Sequence, residues 1–305
     1  MDVQAVFGQL LRRDPSIALP DPPPFKPEAI GPEHKVQFVV ELVGPRSLAS
    51  ANASTLLDAQ WSSALGNPEI FGMAPADRDW QPLRRSDQGS LDSLALCWDL
   101  ISEQGELTSQ AAAHLFHVAE SFGAQVQRRA IPLPPPADVN RAVSVLREIR
   151  DGLDIGVEIL MVPKGPDFCE RDVWIALSSL GFDLAPSGFF EMSAPGANGP
   201  LVTVTPSGGQ DAFKMSSVEK GVSHPGLIIG FSVPLSADPV YSLEGSLKTA
   251  DYLCKTLDAM AFNDADQALG PTVKNELSAN LLAAVRALMG AGIEPGSRAA
   301  QKLFG

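Results

Sequence analysis

Apolar positions recur along this chain with strand and helix periods, in an order that runs twice, over residues 36–150 and again over 155–290. The first pass opens with Val36-Gln37-Phe38-Val39-Val40-Glu41-Leu42, β-branched, aromatic and partly alternating, which predicts a half-buried strand. The second opens with Val157-Glu158-Ile159-Leu160-Met161-Val162. Helical spacing follows in each half, with Leu57, Trp61 and Ala64 on one stripe and Val173, Ala176 and Leu180 on the other. Gly66 and Gly181 stand just past those stripes, where a helix commonly ends in a left-handed residue.

A stronger strand is predicted at 94–100 and again at 227–233. Each precedes a long helix, carried by Leu107, Ala111, Leu115, Val118 and Phe122 in one half and by Val240, Leu243, Leu247, Ala250, Cys254 and Leu257 in the other. Short apolar pieces at 124–127 and 259–262 come next, and Pro136 and Pro271 then introduce a closing helix. A repeated element order of this kind reads as internal duplication. The fold class it implies is α+β, an α/β sandwich of two units, each a mostly antiparallel sheet with helices on one face.

The expected organisation has three parts: an N-terminal segment with a proline-rich linker over 1–33, a first unit over 34–150 and a second over 151–305. Between Asp14 and Pro32 stand Pro15, Pro20, Pro22, Pro23, Pro24, Pro27 and Pro32, a density that favours an extended tether. At 305 residues the chain is long enough for two cores. A formal charge of −13 argues against nucleic-acid or anionic-membrane partners, which need clustered Lys and Arg. Cys97, Cys169 and Cys254 lie in apolar runs without metal or disulfide spacing, and read as buried thiols in a reducing compartment. No apolar run reaches the roughly 18–20 residues that span a bilayer.

His224-Pro225-Gly226-Leu227-Ile228-Ile229-Gly230-Phe231-Ser232-Val233-Pro234, the helix that follows it and the Pro271-Thr272 helix start together resemble the C-terminal domain of ZipA, the cell-division adaptor of the bacterial septal ring. The Ser179-Leu180-Gly181-Phe182 turn and the ending Gly292-Ile293-Glu294-Pro295-Gly296-Ser297 are similar to longer members of that family. The resemblance is clearest over 155–290 and implies a sheet whose bare face holds a shallow apolar groove for the C-terminal tail of FtsZ. It also implies a cytoplasmic domain held at the inner membrane by an anchor that these residues do not include. Carried over position by position, the peptide-binding residues are Ile228, Gly230 and Ser232 on strand 227–233 and Ser187 and Phe189 on strand 184–192. Gly230 and Ser187 stand where the family has larger apolar side chains, so the expected groove is flat and its affinity micromolar or weaker.

No catalytic, cofactor or metal site is expected. His114, His117 and Glu120 share a helical face but lack a fourth ligand. Phe189, Phe190 and Phe231 read as core, and Arg84, Arg85, Arg128 and Arg129 as solvated loop charges. There is no Gly-x-Ser-x-Gly elbow, no phosphate-cradling glycine loop and no Cys/His pair with a known signature. Two further classes stand beside the adaptor: an interaction module with a partner other than FtsZ, and an enzyme with an unrecognised site.

Overall fold

The structure is a computed structural model and describes residues 7, 11–22, 24–25, 29–75, 78–208 and 212–305. The chain divides into two compact units. Residues 28–152 and Gln301–Gly305 form the first, and Leu153–Ala300 with the described residues ahead of 28 form the second.

The first unit contains β1 (Gln37–Ala49), β2 (Glu69–Met73), β3 (Trp80–Pro82), β4 (Ser90–Asp99), the small hairpin of β5 (Ile101–Ser102) and β6 (Gly105–Glu106), and β7 (Arg129–Leu133). Its main sheet has the order β3-β2-β4-β1-β7, antiparallel throughout. Alternation sends Phe38, Val40 and Leu42 toward the helix Ser109–Gln125. Gly123 lets that helix approach closely, since a Cβ there would lie 2.9 Å from the Arg128 carbonyl and 3.4 Å from Leu42. Thr108 caps the helix by accepting the Ala111 N–H at 3.1 Å. The expected helix through Leu57 and Trp61 is broken into Ser50–Ala53, a 3-10 turn Ser54–Leu57, and Ala59–Ala64. Asp58, extended at ψ 146°, makes the break. The short strand expected at 124–127 lies instead at Arg129–Leu133, because the preceding helix runs on to Gln125.

The second unit contains β8 (Gly156–Pro163), β9 (Phe168–Cys169), β10 (Asp183–Leu184), β11 (Phe190–Met192), β12 (Val202–Pro206), β13 (Ser223–His224), β14 (Leu227–Ser232) and β15 (Ala259–Asn263). Its main sheet has the order β10-β11-β12-β14-β8-β15, again antiparallel, and β9 pairs with β13. Helices Glu170–Leu180 and Pro239–Thr256 cover the side bearing Ile159, Met161, Leu227 and Ile229, and one apolar core fills the space between. Gly181, at φ +99°, ends the first of these helices, and the Phe182 N–H returns to the Leu177 carbonyl at 3.1 Å.

Four strands of each unit share one arrangement. In chain order they are β1, β2, β4 and β7 in the first and β8, β12, β14 and β15 in the second, and each set lies in the sheet as fourth, first, third, second. With helical segments between first and second and between third and fourth, this is a split β-α-β-β-α-β motif. The edges differ: β3 follows the second strand of its unit, whereas β10 and β11 precede theirs. The repeated order is therefore a property of the four-strand core and its helices.

The proline-rich N-terminal stretch is not the tether its composition suggests. Leu19 is only 4% exposed and Phe25 packs on the second unit's core. The Asp14 and Leu19 N–H groups bond the Ser179 and Leu180 carbonyls, at 3.0 and 3.1 Å, satisfying acceptors that a helix C-terminus leaves open. Gly196 admits the same stretch, since a Cβ there would sit 2.2 Å from the Phe25 carbonyl oxygen. Among the described residues no helix is long and apolar enough to cross a membrane.

Candidate functional site

Strand register in the second unit defines what its sheet shows on the side away from the helices. Thr205 stands opposite Ile228, Ile228 opposite Leu160, and Leu160 opposite Phe262, so an apolar row crosses β14, β8 and β15. Val162 and its partner Met260 continue it. These side chains are half-buried, and Met260 is 44% exposed. A polar row runs beside them: Asp183, Glu191, Thr203, Gly230 and Glu158 are successive cross-strand partners. Gly230 has no side chain to fill its place, and a depression of about 280 Å³ opens there, lined by Asp154, Glu158, Thr203, Thr205, Ile228 and Ser232 among others. The open face therefore joins an apolar ridge to an acidic trough.

The residues carried over from the resemblance divide accordingly. Ile228, Gly230 and Ser232 share this face, on one edge of the ridge. Ser187 is not on a strand: the expected strand 184–192 breaks into β10 and β11 around a turn in which Gly188 adopts φ +83°. Its hydroxyl lies 3.3 Å from Glu191 Oε1, and two strands, β11 and β12, separate it from Ile228. Phe189, half-buried, immediately precedes β11. A larger residue at position 230 is barred by the backbone, because a Cβ would approach the Val157 carbonyl oxygen to 2.8 Å. Leu160, Val162, Met260 and Phe262, absent from the sequence-derived set, are the larger part of the apolar surface. Their alternation was the available signal, but only the pairing of β8 with both β14 and β15 shows that they adjoin Ile228.

On the same side of the first unit's sheet, Val39, Phe71, Ala95 and Cys97 form a buried cluster with Trp80 against it. The chain's last residues are anchored on that side. Lys302 Nζ, in the helix Arg298–Phe304, lies 3.0 Å from both Glu69 Oε2 and Asp99 Oδ1 and is 13% exposed. The Gln37 amide donates to the same two carboxylates at 2.9 and 2.8 Å. Leu303 beside it is buried.

Other chemically suggestive groups have structural settings. Glu170 and His224 are fully buried and 3.0 Å apart, and the other Glu170 oxygen accepts the Trp174 indole and the Lys214 N–H at 3.2 and 3.0 Å. The carboxylate thus ties a helix start to two neighbouring segments, while His224 Nδ1 has no hydrogen-bond partner among the described residues. Arg128, expected as a solvated charge, is 6% exposed and donates to the carbonyls of Asp92, Arg46 and Leu91. It lies where the β1–β4 register slips between Val43 and Leu48, and burial lowers its pKa. His117 lies 4.0 Å from Glu120 on an exposed helix face, and among the described residues no group of three metal-ligating side chains occurs. Cys97 is buried and Cys169 and Cys254 half-buried, with burial raising the Cys254 thiol pKa.

Comparison with protein-family models and with curated proteins returns no match for this chain.

Proposed function

We propose that the second unit is a docking module for a short amphipathic peptide helix, laid on the ridge of Ile228, Leu160 and Phe262. The observation that carries this reading is the half-exposed apolar row across three adjacent strands, on the side of the sheet that the unit's helices leave open. A helix set in a shallow apolar groove is an established mode of peptide recognition. On the strength of the resemblance to ZipA, the occupant is the C-terminal tail of FtsZ, and the role is that of a cell-division adaptor on the cytoplasmic side of the inner membrane. The groove residues differ from those carried over: Leu160, Phe262 and Met260 join Ile228, while Ser187 stands apart.

Each large side chain contributes about 1.5–3 kcal/mol on full burial. Set against the cost of association, three such contacts support micromolar or weaker affinity. Titration of the full chain with a synthetic FtsZ tail peptide is the test. Leu160→Asp and Phe262→Asp abolish binding with an unchanged circular dichroism spectrum. Equal binding by both variants rejects the face, and no binding by the parent chain rejects FtsZ as the partner.

A further inference from the structure

We infer that the helix received by the second unit's open face carries a lysine or arginine beside its apolar residues, and that this cation enters the trough floored by Gly230. The inference rests on the docking reading above and adds the chemistry of the partner. Two observations point to it.

The first is charge. Glu158 and Asp154 line the trough beside Thr203 and Thr205, and neither carboxylate has an ion-pair partner among the described residues. Ser232 Oγ, in the same lining, is buried without a hydrogen-bond partner. Glu158 precedes Leu160 by one same-side step along β8, so a helix lying on the ridge passes over both. A purely apolar helix would cover the two exposed carboxylates and leave them unpaired, which costs binding; a cation reaching into the trough pairs with them.

The second is the sister sheet. On its corresponding side the first unit holds a helix end of this chemistry, in which Lys302 stands between Glu69 and Asp99 and Leu303 is buried beside it. The four-strand core is common to both units. A basic-apolar helix end over a carboxylate-bearing sheet face is therefore an arrangement this fold already makes once within the chain.

The probe is a stapled helical peptide with the residue order of Arg298–Phe304, and a second peptide in which the lysine is glutamate, each titrated into the full-length chain at low salt. The parent chain binds the lysine peptide roughly five-fold more tightly than the glutamate peptide, and Glu158→Lys reverses that preference. The preference shrinks at high salt. Leu160→Asp abolishes binding of the lysine peptide, which assigns the event to this face and not to the first unit. If Leu160→Asp abolishes binding but Glu158→Lys leaves the preference unchanged, the charge inference fails and the docking face stands. Binding unaffected by Leu160→Asp overturns both, and failure of the parent chain to bind the lysine peptide overturns the inference alone.

Discussion

The two sheets have the same core order and opposite fates on the side away from their helices. In the first unit that side is a second core: Val39, Phe71, Ala95 and Cys97 are buried, and on the same side Lys302 from the end of the chain is held by Glu69 and Asp99. In the second, Ile228, Leu160, Val162, Phe262 and Met260 remain partly exposed. Topology therefore does not decide whether an antiparallel face becomes interior or surface. The two faces differ in what their side chains offer, a buried cluster beside Glu69 and Asp99 in one and a half-buried apolar row beside Glu158 in the other.

A charge placed on each face gives the sharpest contrast. Val39→Asp puts an unpaired carboxylate into a fully buried site and costs about 4 kcal/mol or more, enough to unfold the first unit in a denaturant titration. A mild effect there would show that the first face is not a core.

The internal polar anchors come next. His224→Ala removes one partner of a buried pair and costs about 3 kcal/mol, read as an early melting transition of the second unit. Arg128→Ala leaves the Asp92, Arg46 and Leu91 carbonyls without their donor, costs about 2–3 kcal/mol and lowers the first unit's transition instead. Loss of both transitions together in either variant would show that the units do not unfold independently.

Lys302→Met tests the clamp. Two partly exposed carboxylates lose their cation, and about 1–2 kcal/mol of stability goes with it. Labelling of Cys97, on the covered face, accelerates in this variant relative to the parent chain. Unchanged labelling would mean that the C-terminal residues do not guard that face.

Leu160→Asp is the smallest in stability, within about 0.5 kcal/mol by chemical denaturation, because the side chain is already half-exposed. Its effect falls on peptide binding. A cost comparable to that of Val39→Asp would erase the difference between the faces.

Much of the fold was legible from periodicity. Alternation across β1, β8 and β14, the apolar stripes of the long helices, and the glycine and proline stops placed most elements within a few residues. Errors gathered where local signals compete. Asp58 broke a helix whose stripe was intact, and the turn at Gly188 split the expected strand 184–192 into two short strands. Of the proposed docking face, the sequence singled out Ile228 and Gly230 but not Leu160 and Phe262, which meet Ile228 only through pairing between strands distant in sequence.

By itself, then, the sequence determined the elements, their order and which residues alternate to each side of a strand, since those follow from local sterics and the 2.0 and 3.6 periods. Tertiary structure alone decided the rest. The proline-rich stretch became part of the second unit because its N–H groups match the open carbonyls at Ser179 and Leu180. Arg128 became buried because the slip between β1 and β4 left carbonyls that a guanidinium satisfies. Lys302 met Glu69 and Asp99 on the first unit's face, a contact across more than two hundred residues that no local pattern encodes.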